Sequence, residues 1–155
     1  MPTSREQALA AYCNELRLWG LQRLVVIWQR MDPADIRGSW ARIEPDVLAL
    51  NTTVTTLALQ AVDDYMTVTA ADNGFRYTTT WQQDRPERPA LIPSGRPAAV
   101  VARGVPAVVL WRIKNGHKPL DALVYGYNRI ARVIGSQAHD VARTVPLDRV
   151  LGGDT

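Results

Sequence analysis

Apolar residues at intervals of three and four positions dominate the region from residue 40 to residue 68. A helix has about 3.6 residues per turn, so this spacing places them along one helical face. The members are Trp40, Ile43, Val47, Leu50, Val54, Leu57, Ala61 and Val68. The pattern predicts a helix from about Glu44 to Asp72. A strand across the threonine-rich residues 51–56 is the alternative, but the 3–4 period argues against it.

A second stripe of the same kind precedes it and predicts a first long helix that ends at Asp32-Pro33. Its members are Leu9, Tyr12, Leu16, Trp19, Leu24, Ile27 and Met31. We expect a short helical turn after Pro33 and a break at Gly38-Ser39, because glycine and proline interrupt helices. Two long helices with a short connection predict an antiparallel helical hairpin over residues 1–73.

Residues 74–96 have the composition of a connector arm, since the segment from Gln82 to Pro97 contains four prolines, the last being Pro97 itself. The residues from 75 to 81 are rich in threonine and aromatic side chains, which leaves a short strand possible. The connector is either a flexible arm or a docked peptide.

Residues 97–146 predict a C-terminal helical segment of three helices, followed by a tail over residues 147–155. The first two helices are short, because Gly104 and Asn115-Gly116 each offer a stop. Pro119 opens the third, longer helix. We expect its inner face to carry Leu120, Leu123, Val124, Tyr127, Ile130, Val133 or Ile134, Ala138 and Val141. The predicted fold class is therefore mostly α.

Charged residues are distributed unevenly between the two halves of the chain. Residues 1–75 carry six arginines and nine acidic residues, whereas residues 76–155 carry ten arginines, two lysines and six acidic residues. A basic surface attracts polyanions by releasing their counterions. The candidates for polyanion contact are Arg103, Arg112, Arg129, Arg132 and Arg143; a solvated surface is the plainer interpretation.

Residue types that carry catalysis are sparse and scattered. The single cysteine, Cys13, lies within a predicted helix and excludes an internal disulfide. The two histidines, His117 and His139, lack the spacing of a metal site. No phosphate-binding loop or nucleophile motif is present. The sequence therefore predicts no cofactor, no metal and no self-sufficient enzyme. Its polar start and short apolar runs predict a protein made in a cytoplasm, without a membrane span.

Aromatic residues give the best candidates for contact with a partner. The chain has five tryptophans. Trp81 lies in the proline-rich connector and is the favoured interface anchor, because large aromatic side chains often dominate binding energy. The further candidates are Trp28, Trp40, Tyr65 and Trp111. For tryptophans within the hairpin, core packing is the simpler explanation.

The order of motifs in residues 8–72 resembles that of a phage protein family. The segment IWQRMDPADIRGSWARIEPDVLAL is followed by a helix that closes in QAVDDYM, and PLDALVYGYNRIARVIGSQAHDVAR comes near the end. The pattern of Trp28, Asp32-Pro33, Trp40 and Tyr65 is similar to the N-terminal helical region of the MuF-like minor head proteins of actinobacterial tailed phages. Members of that family are often labelled capsid maturation proteases.

The resemblance implies a virion component near the portal vertex, assembled in the host cytoplasm. Its partners would be the portal protein or the major capsid protein, with multiple copies around a ring and the basic half facing packaged DNA. A head maturation protease, or a fragment of one, is a second hypothesis, and a small DNA-binding protein is a third. Longer family members continue past the point matching Thr155, so no catalytic residue is assigned to this chain.

Overall fold

The protein, described here from a computed structural model, forms four α-helices. They are α1 (Ser4–Trp28), α2 (Ile36–Asp72), α3 (Ala98–Lys114) and α4 (Pro119–Arg143). The structure describes residues 4–72, Gly74 and residues 98–143, with side chains as far as Gln137. The mostly helical class is confirmed. The predicted connector arm and the C-terminal tail lie outside the described residues.

The turn between α1 and α2 corrects the predicted break at Gly38-Ser39. The Asp32 carboxylate accepts a hydrogen bond from the backbone N–H of Ala34 at 2.9 Å, and Asp35 accepts one from the N–H of Gly38 at 3.0 Å. Asp35 is therefore the N-cap of α2, which begins at Ile36, eight residues before the predicted start. Gly38 lies within the first turn of this helix, and its lack of a side chain leaves room for the capping carboxylate, with which a Cβ would collide.

Helix α3 corrects a second prediction, because residues 98–114 form one helix rather than two. The helix passes through both Gly104 and Pro106. Its buried residues form a continuous stripe across these positions, namely Ala98, Val101, Ala102, Val105, Pro106 and Val109. Burial of this stripe offsets the local cost of the glycine and the proline. The predicted stop at Asn115-Gly116 is confirmed: Gly116 has a φ of 95°, and the N–H of His117 bonds the Arg112 carbonyl at 3.0 Å.

Contacts along the helices show an up-down-up-down bundle. Helices α1 and α2 run antiparallel, because Arg5 pairs with Asp72 near one end and Arg30 with Asp46 near the other. Helix α4 is antiparallel to α1, since the Tyr127 hydroxyl meets the Leu21 carbonyl at 3.4 Å while Gly135 lies against Arg17. The turns between α1 and α2 and between α3 and α4 therefore lie at the same end of the bundle.

The core is apolar and draws on all four helices. Its fully buried side chains include Leu24, Ile43, Met66, Val105, Ile130 and Ile134. Glycines allow close approach at two crossings: Gly20 faces Val54 and Ile134, and Gly126 faces Val109 and Trp28. The inner face predicted for α4 is partly wrong, because Leu120 and Val124 are 67% and 57% exposed.

Two glycine substitutions test this packing. A Cβ at Gly126 would lie 2.7 Å from the buried Val109 side chain, whereas a Cβ at Gly104 would have no neighbour within 4 Å. Both substitutions replace glycine by alanine within a helix and so gain the same helix propensity. The difference in unfolding free energy between the two variants therefore isolates the packing cost. We expect Gly126→Ala to be less stable than Gly104→Ala by about 1–3 kcal/mol in urea unfolding. Equal stabilities would contradict the close crossing of α3 and α4.

Candidate functional site

Three aromatic rings meet where α1 ends, α2 begins and α4 begins. The Trp28 ring makes edge-to-face contacts with Trp40 and Tyr127, with centroid separations of 5.8 and 5.9 Å. Edge-to-face geometry is favourable because the positive edge of one ring meets the negative face of the other. Trp40 is 3% exposed, and its indole N–H donates to Glu44 at 3.3 Å. Trp40 thus belongs to the core, and Trp28 connects the core to the surface.

A groove of about 390 Å³ opens beside this cluster, between the end of α1 and the start of α4. Its lining consists of Val25, Trp28, Gln29, Met31, Leu120, Leu123, Val124 and Tyr127. Besides the aromatic residues Trp28 and Tyr127, Gln29 is the one residue of this set with a polar side-chain group. Leu120, Val124 and Val25 are 67%, 57% and 43% exposed, so an apolar surface faces solvent here. We call this feature the α1–α4 groove.

The other predicted interface residues lie elsewhere. Tyr65 is 6% exposed, and its hydroxyl donates to the Glu6 carboxylate at 3.4 Å, which ties the end of α2 to the start of α1. Trp111 is 61% exposed near the end of α3, and it does not line the α1–α4 groove. Trp81 lies outside the described residues.

The structure brings two of the predicted polyanion contacts together. Arg112 on α3 and Arg129 on α4 both approach Tyr125, and the Arg112 guanidinium carbon lies 3.5 Å from the centre of its ring. The guanidinium groups, Arg112 first and then Arg129, lower the pKa of Tyr125 because they stabilise its phenolate. Arg103 and Arg132 are exposed on α3 and α4. The side chain of Arg143 lies outside the described residues.

Ionisable residues of other kinds stay apart within the described part of the chain. No group of three or more His, Cys, Asp or Glu residues there has the proximity of a metal site. His117 is exposed in the turn after α3, and the side chain of His139 is not among those described. Among the described helices, none has the length and apolar character needed to cross a membrane.

Sequence reasoning missed the groove because it assigned Leu120 and Val124 to the core. The breadth of the apolar face of α4 could have indicated the exposed residues. Leu123, Ile130 and Ile134 form one line along the helix, while Leu120 and Val124 are offset from it toward Tyr127. A helix with apolar residues over more than one face either meets several neighbours or presents a surface.

Comparison of the chain with protein-family models, with curated proteins and with solved structures gives no match.

Burial of Cys13 gives a testable pH dependence. Desolvation raises the pKa of its thiol, because the thiolate is disfavoured in the core between α1 and its neighbours. The unfolded chain therefore loses this proton at a lower pH than the folded chain. We expect stability to fall as pH rises above about 8.5, where an unfolded cysteine ionises.

Thermal unfolding at a series of pH values measures this effect, with Cys13→Ala as the control. Tyr65 and Tyr127 also have pKa values raised by burial, which lowers stability at higher pH, while the lowered pKa of Tyr125 acts in the opposite direction. These tyrosine effects are common to both proteins. The onset in Cys13→Ala should come later, near the tyrosine range of about 10. An identical onset in both proteins would rule out the cysteine contribution.

Proposed function

We propose that this protein is a structural component of a phage virion, a MuF-like minor head protein that docks on the portal or capsid through the α1–α4 groove. The observation that carries the proposal is the exposed apolar lining of this groove. The resemblance of residues 8–72 to the minor head proteins supplies the biological setting. Its site of action would be the virion, after assembly in the host cytoplasm.

The groove has the character of a protein-binding surface. Exposed apolar side chains that lie together mark interaction sites more often than scattered ones do. Leu120 and Val124 are one helical turn apart on α4, and Val25 faces them from α1. Their burial against a partner would be favourable by roughly 25 cal/mol for each Å² of apolar surface removed from water.

The shape of the groove favours a particular type of occupant. Two helices form its walls, and Trp28 with Tyr127 forms an aromatic base between them. An amphipathic helix binds such a groove by inserting residues spaced three and four apart. We infer that the occupant is the apolar face of a helix from a portal or capsid subunit. Repetition of that helix around a ring would bring several copies of this protein to the portal vertex.

The aromatic cluster makes the groove rigid before binding. Trp28 contacts Trp40, which is buried, and its ring lies close to the position that a Cβ on Gly126 would occupy. A wall that is already ordered loses little conformational entropy when a partner arrives. Trp28 therefore contributes both to stability and to docking, which fits its candidacy as an interface residue.

Co-expression with the portal protein from the same genome tests the proposal. We expect Leu120→Glu and Val124→Glu to reduce capture of the portal by about 30-fold or more, as loss of a binding hot spot does. Both side chains are mostly exposed, so the variants should fold. Capture is measured by affinity purification followed by quantitative binding with the purified portal.

The matched control is Leu18→Glu, which places the same charge on an α1 residue that is 46% exposed and outside the groove. This variant should bind the portal as well as the unchanged protein does. Equal binding by all three variants, or a genome without a neighbouring portal gene, would contradict the proposal.

A further inference from the structure

The two halves of the bundle carry opposite charge. Residues 4–72, which contain α1 and α2, have six arginines and nine acidic residues. Residues 98–143, which contain α3 and α4, have seven lysines and arginines and two aspartates. The charges are therefore about −3 and +5 by subtraction of these counts. Any polyanion that approaches the bundle is attracted to the α3–α4 side.

Arg112 and Arg129 converge on that side. They come from antiparallel helices, and both interact with the one side chain of Tyr125. Stacking on the ring restricts the Arg112 side chain, so its guanidinium is held in place before any ligand binds. Arg132 is exposed one helical turn beyond Arg129 and extends the basic surface along α4.

These arginines have no acidic partner among the described residues. The ion pairs found there use other arginines: Arg5 with Asp72, Arg30 with Asp46, and Arg42 with Asp35. Asp121, one turn before Tyr125, is exposed and belongs to none of these pairs.

Burial adds a further cost to the two positive charges. The Nε atoms of Arg112 and Arg129 are buried without a hydrogen-bond acceptor in the described part of the chain. A guanidinium that is partly desolvated and lacks a counter-charge gains more from an anion than a fully hydrated one does.

We propose that Arg112, Arg129 and Tyr125 form a phosphate-binding site for the backbone of a nucleic acid. Guanidinium groups match the geometry of phosphate oxygens, and the tyrosine hydroxyl can donate a further hydrogen bond. The site lies on an open basic face rather than in an enclosed pocket. A polyanion gains from such a face through the release of many counterions, a gain that a single small phosphate lacks.

Binding of a short fluorescent DNA duplex to the full chain tests the site. Fluorescence anisotropy over a salt series gives the affinity and its salt dependence. We expect the double variant Arg112→Gln/Arg129→Gln to bind at least 10-fold more weakly, and the slope of log K against log salt to shrink by about 0.9 for each lost phosphate contact.

The matched control is Arg23→Gln/Arg37→Gln, which removes the same net charge from α1 and α2. Arg23 also stacks on an aromatic ring, with its guanidinium 5.4 Å from the centre of Trp19. This control should change the affinity by less than about 2-fold, because distant surface charges are screened by salt. An equal loss in both double variants would overturn the site and leave only a general effect of net charge.

Two further measurements distinguish the remaining outcomes. The variant Arg112→Lys/Arg129→Lys retains both positive charges. It should therefore keep most of the salt dependence of binding, while it binds DNA more weakly than the unchanged protein. Circular dichroism verifies the fold of each variant. Inorganic phosphate should displace the duplex no better than chloride at the same ionic strength. Strong displacement by phosphate would instead indicate a site for small phosphate compounds. That result, or a failure of the unchanged protein to bind DNA at about 50 mM salt, would overturn the proposal.

Discussion

The arrangement of the helices depends on the contacts that the Trp28 ring makes with Trp40 and Tyr127. The ring stands at the end of α1, meets Trp40 at the start of α2 and Tyr127 near the start of α4, and lies close to Gly126. Because Gly126 has no side chain, α4 can approach both this ring and Val109 of α3. The contacts of this ring thus connect the two turns at the same end of the bundle. The apolar surface beside the ring that no helix covers forms the α1–α4 groove.

The groove and the basic face perform separate tasks in our proposals. The groove is apolar and lies between α1 and α4, while Arg112 and Arg129 lie on α3 and α4. Helix α4 contributes residues to both surfaces. It therefore has one apolar exposed face, one basic face and one face buried in the core. Two separate surfaces on one small bundle would allow a protein partner and DNA to be bound simultaneously.

Local sequence signals were reliable where a single residue type controls the backbone. The break at Asp32-Pro33 and the stop at Asn115-Gly116 are both found, because proline lacks an N–H and glycine accepts a positive φ. Glycine misled at Gly38 and Gly104, which lie inside helices. There the burial of neighbouring apolar side chains outweighs the local penalty, and that burial depends on the other helices.

The sequence by itself determined the helical class, the length of the long apolar stripes and the excess of positive charge in the second half. These properties follow from periodicity and composition, which do not require knowledge of neighbours. Only the tertiary structure decided that Tyr65 is buried, that Leu120 and Val124 face solvent, and that two arginines share Tyr125. Each of those outcomes depends on which helix lies opposite, and residues far apart in the chain become neighbours only after the helices have packed.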